Sequence, residues 1–184
     1  MHDCDLTGAD FTGSRVDSSA LAQSRLEGAR LDGVTHMYPN DATLLLAARA
    51  AWDGPAAFAA ARGDFDSFAL VDWSGADLSG FDLRGCWLTR ANLVGANFDG
   101  AQLAETRFGE AKLSGASFVG AHIDRTFFED SIADGIRLSG KLRAPRFGGA
   151  RLAGLQAPNT TFDTADFGRA DLSGADLAGC HFIE

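Results

Sequence analysis

Apolar residues recur at every fifth position through most of the chain, and the residue two places before each is usually small. This register extends over three blocks, from Leu6 to Leu31, from Trp73 to Leu138 and from Phe147 to Phe182. A period of five fits neither an α-helix, with 3.6 residues per turn, nor a β-strand, which alternates every two residues. It predicts a solenoid in which each repeat points its central residue inward.

Four such repeats would close one coil of about 20 residues, and residues 20 apart would then stack at about 4.8 Å. The inner columns would stack side chains of the same type, with Phe98 against Phe118 and Phe108 against Phe128. Small residues between the large ones fit this arrangement, because four inward chains leave little room.

The repeat is interrupted twice, which predicts the organisation of the chain. We expect the first solenoid repeats at 1–36, a helical insertion at 37–70 and the main solenoid at 71–184, forming one domain overall. The insertion reads as two helices, at residues 43–52 and 56–62, with Phe58 facing inward. The register slips by one residue near 139–146, which predicts a bulge or small loop.

The chain is acidic, with a net charge of −9. This charge argues against direct binding of nucleic acid or of an anionic membrane, since both need a basic surface. The acidic N-terminus gives no targeting signal and no apolar stretch is long enough to span a membrane, so the cytoplasm is the expected location.

One segment has the opposite sign and contains Arg137, Lys141, Arg143, Arg146 and Arg151. The five-residue register places Arg146 beside Asp166 and Arg151 beside Asp171, which predicts two exposed ion pairs.

No residue pattern points to catalysis, a metal or a cofactor. The cysteines Cys4, Cys86 and Cys180 occupy the small inward position, where a thiol replaces alanine. The four histidines have no metal-ligand spacing. Acid–base catalysis needs a pocket that shifts carboxyl pKa values, and a filled solenoid offers none. We therefore expect a protein that is not an enzyme.

The segments 76–80 (ADLSG), 91–95 (ANLVG) and 175–179 (ADLAG) match the consensus A(D/N)LXX, and the chain resembles the pentapeptide-repeat family. The resemblance implies an all-β fold, a right-handed quadrilateral β-helix, here with a short helical insertion. One branch of the family protects type II topoisomerases from drugs, including quinolones. Its members resemble duplex DNA in size and charge and dimerise end to end.

The resemblance therefore implies a partial DNA mimic that binds DNA gyrase or another topoisomerase and protects it from inhibitors. It is only partial, because about seven coils make a rod of about 34 Å, over which duplex DNA carries about 20 charges. A homodimer through the C-terminal coil would use Leu177, Phe182 and Ile183. The expected partner-binding residues are Asp77, Asp82, Asp99, Asp166, Asp171 and Asp176.

Two alternatives remain open. The protein could be a non-catalytic interaction scaffold that uses the helical insertion or the basic segment, or an accessory protein of a biosynthetic pathway. The insertion itself could bind a partner or simply cover an apolar patch of the solenoid.

Overall fold

The computed structural model describes residues 8–10, 54–62, 68–69 and 71–184, with only the backbone described at 60–62. The chain divides into two compact units, Met1–Ser67 and Phe68–Glu184. Most of the repeats expected at 1–36 and the helix expected at 43–52 lie outside the described residues. The boundaries of the insertion and the single domain therefore stay predictions.

In the first unit, helix α1 extends over Pro55–Arg62, one residue longer than expected from the sequence. Proline suits the first helical position because its missing N–H would have no partner there. The Phe58 N–H donates the first hydrogen bond of the helix to the Gly54 carbonyl, at 3.0 Å. The Phe58 side chain is fully buried, as its place in the sequence predicts.

The second unit is a β-helix with coils of 20 residues. Four parallel backbone pairings recur in each coil, and in the first coils each joins two residues 20 positions apart. The coil thus has four sides of five residues each, which we call sides A to D. In the first two coils, side A carries Asp72 and Asn92, side B Asp77 and Asn97, side C Asp82 and Gln102, and side D Trp87 and Arg107.

Five short strands are long enough to be named, and all pair in parallel. On side B, β1 (Ser117–Phe118) pairs with β2 (Arg137–Leu138). On side C, β3 (Lys141–Arg143), β4 (Thr161–Asp163) and β5 (His181–Ile183) form a three-stranded sheet in that order. The strands are short because the chain turns a corner every five residues. The right-handed winding implied by the resemblance stays a prediction.

Aromatic columns fill the interior, as the inner spacing predicts. The rings of Phe98 and Phe118 stack at 4.8 Å, and those of Phe108 and Phe128 at 5.1 Å. The second column continues to Phe147, whose ring stacks on Phe128 at 4.8 Å. All five side chains are fully buried, so the predicted pairs are confirmed.

The position two before each central residue also faces inward, and the threonines there are bonded to the coil before. The hydroxyl of Thr106 donates to the Leu83 carbonyl at 2.8 Å, and that of Thr126 to the Leu103 carbonyl at 2.7 Å. Both threonines are fully buried. A buried hydroxyl would otherwise weaken the core, so this bond explains why threonine is tolerated in place of alanine.

The register slip is real, but the predicted bulge or small loop is wrong for most of its length. Backbone pairing changes from an offset of 20 to one of 19, as in Asp124 with Arg143, and later returns to 20. Leu142 is fully buried and follows the buried Leu138 by only four residues. One side of the solenoid is therefore one residue short, and its chain forms β3 instead of a loop.

Burial of Leu142 gives the physical reason for this shortened side. Leu142 pairs with Phe162 of the next coil, so it fills the inner column that a loop would leave empty. Gly140 precedes β3 with a φ of 96°, a left-handed conformation that side chains disfavour. The tighter corner is made possible by this glycine.

Candidate binding surfaces

The outward aspartates are held over their own turns. The Ser79 N–H donates to Asp77 Oδ1 at 3.1 Å, and the Ser173 N–H to Asp171 Oδ1 at 2.9 Å. Hydrogen bonds from the Ser79 hydroxyl and N–H lower the pKa of Asp77, and those from the Ser173 N–H and hydroxyl lower the pKa of Asp171. Both carboxylates are exposed and ionised at neutral pH.

The six aspartates expected to bind a partner do not have equal environments. Asp99 accepts hydrogen bonds from the Ser117 hydroxyl at 2.5 Å and the Val119 N–H at 2.8 Å, which ties it into the wall of the solenoid. Asp82 forms a salt bridge with Arg84 at 2.6 Å, and this interaction raises the pKa of Arg84. The charge of Asp82 is therefore shared with a cation, and the Asp99 carboxylate is half-buried in the wall.

The remaining acids lie near the two ends of the second unit. Asp77 is on the first coil of this unit, whereas Asp166, Asp171 and Asp176 are on the last outward row of sides D, A and B. Between these ends, the same columns carry neutral or basic residues: Asn92, Asn97, Lys112, Ser117, Arg137, Arg146, Arg151 and Gln156. No continuous acidic column joins the two ends along sides A, B and D.

The charge of the second unit is small. Residues 68–184 contain 15 acidic and 11 basic side chains, so their net charge is 11 − 15 = −4, against −9 for the whole chain. About six coils span about 29 Å, over which duplex DNA carries about 17 charges. The described solenoid thus has about a quarter of the charge of the duplex.

The basic segment forms no patch, because the coil distributes it around the rod. Arg137 is on side B, Lys141 and Arg143 on side C, Arg146 on side D and Arg151 on side A. All but Arg137 have a carboxylate partner among the described residues. Its use as a single contact surface, left open by the sequence, therefore loses its geometric basis.

The backbone register of the two predicted ion pairs is confirmed, but the two arginine side chains pair with other acids. Arg146 and Arg151 do pair through the backbone with Asp166 and Asp171. Their guanidinium groups turn instead to the preceding coil, where Arg146 meets Glu129 at 3.0 Å and Arg151 meets Asp134. The ladder aspartates are engaged elsewhere, since their carboxylates accept N–H groups two residues further on, at Gly168 and Ser173.

Side D carries an alternating column of rings and cations that the sequence analysis missed. The Arg107 guanidinium carbon lies 4.8 Å from the ring centre of Trp87 and 5.2 Å from that of Phe127. The Arg146 guanidinium covers the same Phe127 ring at 5.3 Å. Trp87 is 45% exposed. Trp87, Arg107, Phe127 and Arg146 are 20, 20 and 19 residues apart in the sequence. This spacing can be recognised only when the outward residues of successive coils are aligned.

The last coil exposes apolar side chains that elsewhere are covered. Phe182 is 58% and Ile183 47% exposed, and Leu177 is half-buried. Phe182 packs on the Phe162 ring at 5.2 Å but has its other face open. The structure thus places the three residues expected at a dimer interface on one coil.

Among the described residues, no group of three or more His, Cys, Asp or Glu side chains could hold a metal ion. Nor does any helix in the described part of the chain have the length and apolar character needed to cross a membrane.

Comparison with protein families agrees with the coil geometry. The model of the pentapeptide repeats matches in eight copies, over residues 1–35, 74–109, 101–140 and 146–182. The chain belongs to the pentapeptide-repeat family. No curated protein matches its sequence.

Solved structures of other pentapeptide-repeat proteins are similar at low identity and low TM-score. Rfr23 from the cyanobacterium Cyanothece 51142 is 19% identical, with a TM-score of 0.28; the match covers 55% of this chain and 63% of that one. A trypsin-treated variant of QnrB1, a plasmid-mediated fluoroquinolone resistance protein, is 16% identical over 99% of this chain and 80% of its own, with a TM-score of 0.40. HetL from Nostoc sp. strain PCC 7120, involved in heterocyst differentiation regulation, is 21% identical over 98% and 81%, with a TM-score of 0.26.

Proposed function

We propose that this protein is a non-catalytic scaffold that binds a partner protein through the outer sides of its solenoid. The observation that carries this proposal is the filled interior of residues 71–184, where stacked phenylalanine and leucine side chains occupy the axis. Chemistry needs a cleft that excludes water and shifts pKa values. The coil instead offers flat outer sides whose residues are held at fixed spacing by the backbone ladder.

Photo-crosslinking from one coil tests this function. A benzophenone amino acid replaces, one at a time, Ile132, Arg137, Lys141 and Arg146, which are the outward residues of sides A to D in the same coil. The four variants are matched controls for one another. We expect one discrete partner to be captured from one side or two adjacent sides. Equal capture from all four sides, or none from any, would contradict a docked scaffold.

A second candidate is topoisomerase protection, which the acidity of the chain favours. In this proposal the protein acts in the cytoplasm as a partial DNA mimic, binds gyrase and does not bind nucleic acid. With a net charge of only −4 in the second unit, the mimicry would rest on the acids of the last coil. A homodimer through Leu177, Phe182 and Ile183 would bring two such acidic coils together and double the local charge.

Supercoiling by gyrase, with and without a quinolone, tests this second candidate. A triple variant, Asp166→Asn with Asp171→Asn and Asp176→Asn, removes the charge and keeps the turn bond. Asn97 already makes that bond, accepting the Asp99 N–H at 3.0 Å. We expect the natural protein to protect gyrase and the triple variant to lose protection. If the natural protein neither inhibits nor protects, the topoisomerase role is refuted, and a monomer in light scattering at micromolar concentration refutes the dimer.

A further inference from the structure

We propose that side D contains an anchor for a carboxylate of the partner protein, formed by Arg107 between Trp87 and Phe127. This proposal rests on the scaffold function above and names the face and the chemistry that the partner must offer. The occupant is an acidic polypeptide segment in which an aspartate or glutamate is flanked by apolar residues.

The rings of Trp87 and Phe127 fix the position of the Arg107 guanidinium before a partner binds. The guanidinium carbon lies 4.8 Å from the Trp87 ring centre and 5.2 Å from that of Phe127, so it is held over both aromatic rings. The N–H donors of a guanidinium lie in its plane. A guanidinium that lies over two rings and has no salt bridge keeps donors for a ligand, and a carboxylate can accept two of them at once.

The acids that could have neutralised Arg107 are engaged by other cations. Glu105 forms a salt bridge with Arg125 at 2.8 Å, and Glu110 with Arg90 at 3.6 Å. Arg107 itself has no salt bridge with any residue that the structure describes, whereas Arg146 in the same column is paired with Glu129. Arg107 thus lies over two aromatic rings and has no carboxylate partner among the described residues.

The surroundings favour a polypeptide over a nucleic acid. Glu129 and Asp166 lie along side D, next to Arg146. A duplex, with a charge about every 1.7 Å, would bring its phosphates close to these acids. A single carboxylate can reach Arg107 without meeting them. Exposed tryptophan and arginine are also the residues that dominate protein–protein interfaces, where they act as buried anchors after binding.

Calorimetric titration with a defined peptide tests the anchor in the full-length protein at low ionic strength. The probe is a hexapeptide of alternating glutamate and valine with blocked ends, and its glutamine counterpart is the uncharged control. We expect Arg107→Gln to weaken binding of the glutamate peptide by about tenfold or more, because a hydrogen-bonded charge is lost. Arg107→Lys should fall in between, because lysine keeps the charge and loses the planar fork.

Arg137→Gln is the matched control. Arg137 occupies the same position of its repeat on side B, is exposed and has no salt bridge among the described residues. This variant should bind like the natural protein. The proposal is overturned if the natural protein does not bind the glutamate peptide, if the glutamine peptide binds equally well, or if Arg107→Gln and Arg137→Gln have the same effect. Binding of duplex DNA that depends on Arg107 would equally overturn the assignment to a polypeptide.

The scaffold function and the Arg107 anchor can be refuted separately. If the peptide does not bind while crosslinking from side B or C captures a partner, the scaffold function stands and the Arg107 anchor is wrong. If crosslinking gives no partner from any side, the scaffold function itself fails, whatever the peptide does.

Discussion

Replacing Phe118 by alanine tests whether the stacked rings hold the second unit together. Phe118 is fully buried and stacks on Phe98 at 4.8 Å with the planes only 6° apart. It also meets Phe108 and Phe128 edge to face, at 5.9 Å and 5.6 Å. Three aromatic partners, one on the same side and two on the opposite side of the coil, therefore depend on this one ring.

The expected loss follows from these contacts. Truncating a buried phenylalanine to alanine costs about 3–5 kcal/mol, and each aromatic pair contributes about 0.5–1.5 kcal/mol of interaction beyond burial. We expect a value in the upper part of this range for Phe118→Ala. That is a large fraction of the roughly 5–15 kcal/mol by which most domains are stable. Phe118→Leu keeps most of the volume and loses the ring, so it should cost about 1–2 kcal/mol.

Urea denaturation followed by far-ultraviolet circular dichroism measures these differences. Phe182→Ala is the control, because Phe182 is an inner residue of the last coil and is 58% exposed. It should cost less than about 1.5 kcal/mol, since much of its surface is already in water. A loss below about 1 kcal/mol for Phe118→Ala, or equal losses at the two positions, would refute the idea that stacked rings dominate the stability.

Two polar core positions should respond to substitution with opposite signs. Thr106→Val removes the hydroxyl that bonds to the Leu83 carbonyl and should cost about 1 kcal/mol in urea denaturation. Ser131→Ala should leave stability unchanged or raise it, because its buried hydroxyl has no partner within the described residues, and a clear loss would contradict this. Acid should destabilise the protein in part through Asp171: its pKa in the fold lies below the ordinary 3.8, so its contribution is complete above that value and is lost as pH falls through the lowered pKa. Asp171→Asn keeps an oxygen acceptor and does not titrate, so its melting temperature should fall less than that of the natural protein between neutral and acid pH. An identical fall would contradict the role of the Ser173 bond.

The inner columns could be predicted because they depend on one rule. Every fifth side chain points inward, so the spacing alone paired Phe98 with Phe118 and Phe108 with Phe128. The same rule explains why Phe58 was harder to interpret. It lies in a helix with a different period, and its burial was expected from its inward position in the helix predicted at 56–62.

The outer surface was less predictable, because a side chain at an edge has several acceptable partners. The register correctly placed Arg146 beside Asp166, yet the flexible guanidinium reached Glu129 on the coil before it. Exposed ion pairs differ little in free energy, so small differences in geometry decide among them. The role of Asp99 was missed for a similar reason, since its partner Ser117 is 18 residues away.

The sequence by itself determined the repeat, the coil of 20 residues and the identity of the core. The reason is that an apolar side chain occurs at every fifth position, and a compact structure must bury all of them. Only the tertiary structure decided how the 19-residue offset is accommodated, with Leu142 pulled into the core instead of looped out. It also decided which charges remain unshared. That choice depends on distances between coils, and it left Arg107 between two rings without a carboxylate among the described residues.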